Sequence, residues 1–290
     1  MLEKTKQPRW DVRMQLGKSV PAPGHIDSSL KRYIAREMYA IWGNLKPVDA
    51  ACYATLLRFQ TVEGISGGAA EIGVSQGRSL FMLAKALLPN ERVYGIDLFN
   101  HNTRGYIGTG QLEVFKLNAV RLGLSIPEEC IHIGPSEHLK VDDILRVVGP
   151  VRFFHVDGGH REFHVKSDAK LAASSINDAG VIAFDDFSNP EWPEVCLGVL
   201  DFLRSNEFGL APFAITKDKI YVCRSGHRQK YVDALVSSDW LRGYRFGWAD
   251  LLGSKIVFIR QETSDRLLYH VLGKLGLGDI AYWLQARRRY

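Results

Sequence analysis

Residues 67–88 read GGAAEIGVSQGRSLFMLAKALL, an apolar strand followed by a glycine-bearing turn and a helix with apolar spacing. Gly73 and Gly77 allow the backbone of the turn to approach a ligand closely, and the first turn of the helix offers unpaired amide donors. The next apolar run, RVYGID at 92–97, ends in Asp97. An acid at this position accepts the two hydroxyls of a ribose. The stretch therefore predicts a βαβ unit that binds a nucleoside-bearing cofactor.

Strand and helix patterns alternate from this unit as far as residue 205. The predicted strands lie at 68–73, 92–97, 129–133, 151–157 and 180–185. The predicted helices lie at 78–88, 110–123, 138–147, 163–177 and 193–205. A closing antiparallel hairpin is predicted at 211–224. Because such alternation is typical of parallel strands joined by crossover helices, the sequence predicts an α/β fold with a doubly wound, mostly parallel, seven-stranded sheet.

Helical patterns flank the predicted sheet. The predicted organisation is a helical N-terminal extension at 1–65, a cofactor-binding domain at 66–262 and a helical C-terminal tail at 263–290. Beyond residue 225 the pattern also predicts a helix near 228–237 and a strand at 255–260. The tail would pack on the domain, form an oligomer contact or touch a membrane surface, and helical extensions at both ends are compatible with a homo-oligomer.

Composition excludes several classes of protein. The chain has 290 residues, of which 46% are hydrophobic and 24% charged, so it is not a disordered sequence. Its four cysteines lie far apart without a C-x-x-C motif, which signals neither a disulfide framework nor a structural zinc site. We find no secretion signal and no run near the roughly 18 apolar residues of a membrane span, so a cytoplasmic location is expected. The net charge of +5 is modest, and the three arginines at 287–289 are typical of a solvated tail rather than a nucleic-acid surface.

Carboxylates end two further apolar runs. The run FFHVD ends in Asp157, and VIAFDD ends in Asp185 and Asp186. Since parallel strands end at the same sheet edge, the three like charges would repel unless a cation is shared. Hard oxygen ligands with room for water suit Mg²⁺. The alternative is that Asp185 and Asp186 cap the following loop while Asp157 contacts only the cofactor.

Polar residues near these carboxylates are candidates for catalysis. His160, three residues after Asp157, would accept the proton of an acceptor hydroxyl, or would hydrogen-bond a loop carbonyl or help to place the metal ligands. The segment at 99–110, with Arg104 and Tyr106, would form a lid or acceptor wall, or a plain connecting loop. Trp192 would lie in the opposite wall or in a structural turn.

The segments EIGVSQGRS at 71–79, GPS at 134–136 and HVDGGH at 155–160, with Asp97 and the paired aspartates, resemble class I S-adenosylmethionine-dependent methyltransferases. The resemblance is closest to the metal-dependent sugar O-methyltransferases of macrolide and aminocoumarin biosynthesis, and it covers roughly residues 66 to 200.

This resemblance implies a Rossmann-like methyltransferase fold, S-adenosylmethionine as cofactor and Mg²⁺ at Asp157, Asp185 and Asp186. The cofactor-binding residues that it implies are Glu71, Gly73, Gly77, Ser79, Asp97 and Ser136. Glu71 would hold the turn and the methionine amino group, Ser79 would cap the helix and Ser136 would lie near the adenine. Asp157 and His160 would form the catalytic centre. The acceptor would be a hydroxyl of a small molecule such as a sugar or a glycosylated natural product.

Three other functions remain open from the sequence. One is metal-independent methyl transfer to a small molecule, in which the carboxylates only shape the site and bind no metal. Another is a non-catalytic subunit that binds S-adenosylmethionine. A nicotinamide oxidoreductase is disfavoured because the turn reads G-x-x-x-G rather than G-x-G-x-x-G. The chain also lacks the Asn-Pro-Pro-Tyr type of segment found in amino-methylating enzymes of nucleic acids, so we expect no nucleic-acid substrate.

Overall fold

The structure is a computed structural model that describes residues 23–100 and 110–261. The predicted C-terminal tail at 263–290, the first part of the N-terminal extension, and Arg104 and Tyr106 of the predicted lid lie outside the described residues. Of the described helices, none is long and apolar enough to cross a membrane.

Within the described residues, nine strands form one sheet in the order β3-β2-β1-β4-β5-β7-β6-β9-β8. The strands are β1 (Gly68–Ile72), β2 (Val93–Asp97), β3 (Ile131–Ile133), β4 (Val151–Val156), β5 (Ile176–Phe184), β6 (Leu210–Ile215), β7 (Ile220–Arg224), β8 (Tyr244–Leu251) and β9 (Ser254–Gln261). β1 to β5 pair in parallel, and β7 joins β5 in antiparallel pairing. The α/β class and the doubly wound, mostly parallel arrangement are therefore confirmed.

Eight α-helices accompany the sheet in the described part of the chain. They are α1 (Pro23–Ala35), α2 (Pro47–Val62), α3 (Arg78–Ala86), α4 (Gln111–Arg121), α5 (Val141–Val148), α6 (Glu162–Ser175), α7 (Pro193–Ser205) and α8 (Arg228–Val236). Successive strand residues point to opposite faces, so Phe153 belongs to one apolar cluster with Leu56 of α2 and Phe81 of α3. Phe154 belongs to a second cluster with Val165 of α6 and Val199 of α7. The sheet is thus covered by two apolar cores.

The N-terminal helices belong to the first of these cores. Tyr33 of α1 and Leu56 of α2 are fully buried in the same cluster as Phe153 and Phe213 of the sheet. Pro47 stands at the first position of α2, where its missing N–H costs nothing. The described part of the predicted N-terminal extension, α1 and α2, therefore packs on the sheet.

The strand count is nine rather than the predicted seven. The hairpin at 211–224 forms β6 and β7 as predicted, and the strand predicted at 255–260 is β9, which pairs in parallel with β6. β8, which was not predicted, pairs with β9 through a two-residue turn in which Leu252 and Gly253 have positive φ. Because β8 lies at the sheet edge and none of its residues is buried, it lacks the apolar run that signals a buried strand.

The helix predicted at 163–177 ends earlier, at Ser175. β5 already begins at Ile176, which pairs with Val151, and the register shifts before Phe153 pairs with Val181. An irregularity therefore separates Ile176 from the apolar run that the sequence analysis recognised as a strand.

Candidate active site

The carboxyl ends of β1, β2, β4 and β5 meet at one edge of the sheet, where a cavity of about 460 Å³ opens. Its lining includes Gly73, Asp97 and Ser136 of the predicted cofactor residues, and also Asp157 and His160. The volume is in the range of small-molecule and cofactor sites. Three of the six predicted cofactor residues and the predicted catalytic pair therefore share one cavity.

Gly73 forms the floor of the turn after β1. Its φ is +88°, and a Cβ at this position would lie 1.8 Å from the carbonyl oxygen of Asp157. Its own N–H donates to the carbonyl of Ile96 at 2.9 Å. Only glycine fits this crossing of the β1 and β4 ends, because the conformation is left-handed and there is no room for a side chain.

The second glycine of the turn caps the helix. Gly77, with φ of +95°, is the N-cap residue of α3, and no side chain caps this end. The expectation that Ser79 caps the helix is wrong, because its hydroxyl lies one position inside α3 and donates to Glu71 Oε1. Glu71, Gly77 and Ser79 are not among the described residues that line the 460 Å³ cavity. Gly77 belongs to the turn itself, and the hydrogen bond between Ser79 and Glu71 supports the turn from outside the cavity.

Glu71 is completely buried, and its two oxygens differ. Oε1 accepts hydrogen bonds from Ser79 and from His155 Nδ1 at 2.9 Å. Oε2 is buried without a hydrogen-bond partner among the described residues. Burial raises the pKa of Glu71 well above its ordinary value. A buried carboxylate oxygen without a partner is costly, so a ligand that donates to it would bind favourably.

Asp97 stands at the end of β2 and at the wall of the cavity. Its Oδ2 accepts from the Ser75 N–H at 2.7 Å, and its Oδ1 accepts from the Phe99 N–H at 2.7 Å. These two backbone donors hold the carboxylate in one orientation, since each oxygen has a fixed partner. Each oxygen keeps a further lone pair that could accept a hydrogen bond from a ligand in the cavity.

Ser136 follows β3 and is hydrogen-bonded to Asp168, a residue that the sequence analysis did not identify. Its hydroxyl donates to Asp168 Oδ1 at 2.6 Å. Asp168 is 2% exposed, and a Cβ at Gly158 would lie 2.5 Å from its Oδ2. Burial raises the pKa of Asp168 to about 7. A lone aspartate within a helix pattern carries no signal of this contact, because its partners come from two other strand ends.

We expect the Asp168→Asn variant to be stabilised relative to the wild type as the pH rises. The carboxyl of Asp168 holds its proton more tightly in the folded chain than in the unfolded chain, so wild-type stability falls as the pH rises from about 4 to about 7. Asparagine does not titrate and still accepts the Ser136 hydrogen bond. The melting temperatures of both proteins at pH 5 and pH 8 measure this effect. A difference that is the same at both pH values would contradict it.

The three predicted metal-binding aspartates are divided between two clusters. Asp157, His160 and Asp186 form one group, and His155, Asp157 and Asp185 form the other, with candidate ligand atoms within 4.8 Å of one another in each. The sequence analysis expected Asp157, Asp185 and Asp186 in a single set. The positive φ of Asp186, 55°, turns the chain between the paired aspartates, so their side chains serve different groups.

A buried lysine pairs with Asp185. Lys219, at the start of β7, is 1% exposed, and its ammonium contacts the Asp185 carboxylate and lies 3.1 Å from His155 Nε2. Lys219 stands in the predicted hairpin turn, where lysine is ordinarily solvated, so the sequence analysis missed it. Its burial depends on the hairpin folding back over the end of β5.

Charges in this region shift several pKa values. Burial would lower the pKa of Lys219, but Asp185, Asp49 and Asp157 raise it above its ordinary value. Burial and the Lys219 charge lower the pKa of His155 well below its ordinary value, so the ring is neutral. Burial works against ionisation of Asp185, yet Lys219 keeps the pKa of that carboxyl below its ordinary value.

Unlike Asp185 and Asp186, Asp157 has no side-chain hydrogen bond to another described residue, and it lines the cavity. Desolvation and the Asp185 charge raise the pKa of Asp157 well above its ordinary value. A cation or a hydrogen-bond donor in the cavity would favour its ionised form.

His160 is held by Asp186 and Trp192. Its Nε2 lies 3.0 Å from Asp186 Oδ2, and its ring stacks on the Trp192 indole with centroids 4.4 Å apart. Desolvation raises the pKa of Asp186, but hydrogen bonds from His160 and Asn189 bring it below its ordinary value. Two independent contacts therefore fix the orientation of the imidazole at the wall of the cavity.

A family model described as a methyltransferase domain matches residues 70–187, from β1 to the residue after the paired aspartates. The parallel sheet, the glycine turn and the cavity at its edge agree with this match. This part of the chain, which holds β1 to β5 and the glycine turn, is therefore similar to a methyltransferase domain.

Several solved structures are similar in fold at low sequence identity. The calicheamicin methyltransferase CalS11 is 16% identical, with a TM-score of 0.47, and the match covers 77% of this chain and 100% of that one. The O-methyltransferase NovP is 15% identical, with a TM-score of 0.46 and coverage of 69% and 98%. TomG from Streptomyces achromogenes, an O-methyltransferase of tomaymycin synthesis, is 16% identical, with a TM-score of 0.43 and coverage of 70% and 90%. A comparison with curated protein sequences finds no match.

Proposed function

We propose that this chain transfers the methyl group of S-adenosylmethionine to a hydroxyl oxygen of a small molecule such as a sugar or a glycosylated natural product. One observation carries the proposal. The cavity that is lined by Gly73, Asp97 and Ser136 continues to Asp157 and His160. A cofactor seated on the first three residues would therefore face a carboxylate and an imidazole.

The cofactor's parts match the polar groups around the cavity. Asp97 would accept the ribose hydroxyls, and Ser136 would lie beside the adenine. Glu71 does not line the cavity and would act on the methionine end only through the turn, which it holds through Ser79. S-adenosylmethionine supplies a methyl group on a sulfonium, and transfer leaves S-adenosylhomocysteine.

His160 is the proposed general base. When its Nε2–H donates to Asp186 Oδ2, Nδ1 is left as the proton acceptor. The acceptor oxygen takes the methyl group while its proton passes to His160 Nδ1, and the Asp186 carboxylate stabilises the imidazolium that results. The stacked Trp192 keeps the ring from rotating away.

A divalent cation fits the group of Asp157, His160 and Asp186. Mg²⁺ in proteins is held by one or two carboxylates and keeps several waters, and this group offers two carboxylates that are only half-buried. The unpaired carboxylate of Asp157 would hold the ion together with Asp186. When bound, the ion would lower the pKa of an acceptor hydroxyl and orient a vicinal diol.

Metal-independent transfer is the second candidate, and the contact between Lys219 and Asp185 favours it. The ammonium already compensates one of the three carboxylates, so the charge argument for an ion is weaker than the sequence alone suggests. His160 and Asp186 would then activate the hydroxyl unaided.

Chelation separates these two functions. We expect chelator-treated protein to bind S-adenosylhomocysteine in calorimetry, and labelled S-adenosylmethionine to methylate members of a panel of methyl glycosides with vicinal diols only after Mg²⁺ is added. Transfer that is unchanged by chelation would reject the metal and favour the second candidate. Cofactor binding combined with transfer to amines alone would contradict O-methylation.

A further inference from the structure

Lys219 has the surroundings of a functional group rather than of a surface lysine. Its side chain is 1% exposed, and it is the residue directly before β7. The other lysine–aspartate pair near this hairpin, Lys46 with Asp218, has a lysine side chain that is 40% exposed. A buried lysine loses its hydration, so its burial is tolerated only when neighbouring groups compensate its charge. Asp185 and His155 are the neighbours that do so for Lys219.

The ammonium of Lys219 occupies one of the two clusters that could hold a metal ion. That cluster consists of His155, Asp157 and Asp185. Lys219 contacts Asp185 and lies 3.1 Å from His155 Nε2, so it reaches two of the three candidate ligands. A cation cannot take the same place, because two positive charges at this separation repel strongly in a poorly solvated site.

The direction of the hydrogen bonds fixes this arrangement. An ammonium only donates, so His155 accepts at Nε2 and its Nδ1–H donates to Glu71 Oε1 at 2.9 Å. Glu71 in turn accepts from Ser79 at the start of α3. Lys219 is thus tied through His155 to the turn that shapes the cofactor cavity.

We propose that Lys219 is a positioning residue that acts as a built-in counter-ion: it holds Asp185 away from any divalent cation and restricts that cation to the side of Asp157 and Asp186. Asp185 is then a partner of Lys219 and not a metal ligand. The site has one fixed internal cation and one exchangeable ion position. The inference rests on the proposed function in one respect, which is that the exchangeable ion assists methyl transfer.

Mn²⁺ binding to the purified full-length chain tests this inference, with the free ion followed by electron paramagnetic resonance. Lys219→Met removes the ammonium and frees the second cluster. We expect this variant to bind Mn²⁺ on the order of tenfold more tightly than the wild type. Lys46→Met, which breaks the more exposed pair, is the matched control and should change the affinity less than about threefold. Affinity that is unchanged or weaker in a folded Lys219→Met protein would overturn the inference.

A second variant keeps the test decisive if Lys219→Met does not fold. Lys219→Met combined with Asp185→Asn removes both charges of the buried pair, a change that proteins often tolerate. Because Asp185 is not a ligand in our scheme, the double variant should bind Mn²⁺ within about threefold of the wild type. A loss of tenfold or more would show that Asp185 binds the ion, and would overturn the inference.

Failure of the inference and failure of the proposed function give different results. If the wild type does not bind Mn²⁺ but Lys219→Met does, the role of Lys219 in keeping a cation away from Asp185 stands, whereas the exchangeable ion position and the metal-assisted function fall. If the wild type binds Mn²⁺ and both variants disagree with the expectations above, the function stands and the role of Lys219 falls.

Discussion

Asp186→Ala is expected to abolish methyl transfer while cofactor affinity stays within about threefold of the wild type. Asp186 holds His160 Nε2 at 3.0 Å and is one of the two carboxylates proposed for the ion, so its removal disables the base and the ion position together. Loss of general-base assistance alone typically costs on the order of 10² to 10⁴ in rate. Asp186 is not among the described residues that line the 460 Å³ cavity, and S-adenosylhomocysteine binding should therefore persist.

The measurements are turnover with a glycoside that the wild type methylates and calorimetry with S-adenosylhomocysteine. Backbone strain needs its own control, because Asp186 has a positive φ that alanine adopts less readily. Asn206→Ala makes a similar change at φ of 52°, at the end of α7. We expect it to retain full turnover. Asp186→Ala protein with wild-type turnover would contradict the role of Asp186.

Gly73→Ala is expected to eliminate cofactor binding and to destabilise the chain. The new methyl group would lie 1.8 Å from the Asp157 carbonyl oxygen, so the turn or the end of β4 must move, and both line the cavity. Clash and left-handed strain together cost about 3 kcal/mol or more, which corresponds to a fall in Tm of roughly 6–12 °C. Calorimetry with S-adenosylhomocysteine should show at least a hundredfold loss, on the order of what a misplaced site costs.

Gly64→Ala is the matched control for this change. Gly64 also has a positive φ, +74°, but no atom lies within 4 Å of a Cβ at that position. Gly64→Ala should therefore lose only about 1–2 kcal/mol of folding stability through backbone strain, and its cofactor affinity should be unchanged. If Gly73→Ala bound S-adenosylhomocysteine as tightly as Gly64→Ala does, the glycine turn would not form part of the cofactor site.

The structure places predicted residues at one cavity where the prediction depended on neighbours along the chain. Gly73 and Asp97 follow strands whose apolar runs are continuous, and parallel strands bring their carboxyl ends to one edge. The same logic placed Asp157 and His160 in the shared cavity. Ser79 was assigned the wrong role, because the left-handed Gly77 caps α3 and the hydroxyl turns inward to Glu71.

Local pattern was sufficient for the α/β class, the order of alternating strands and helices, and the strand-end residues around the cavity, because each depends on periodicity and turn chemistry within about 20 residues. Packing decided the rest. Lys219 meets Asp185 across 34 positions, and Ser136 meets Asp168 across 32. Burial converts an ordinary hairpin lysine into an internal counter-ion and an ordinary helix aspartate into a group that titrates near neutrality. Neither change is visible along the chain, since both depend on which charges the folded sheet brings together and from how much water it removes them.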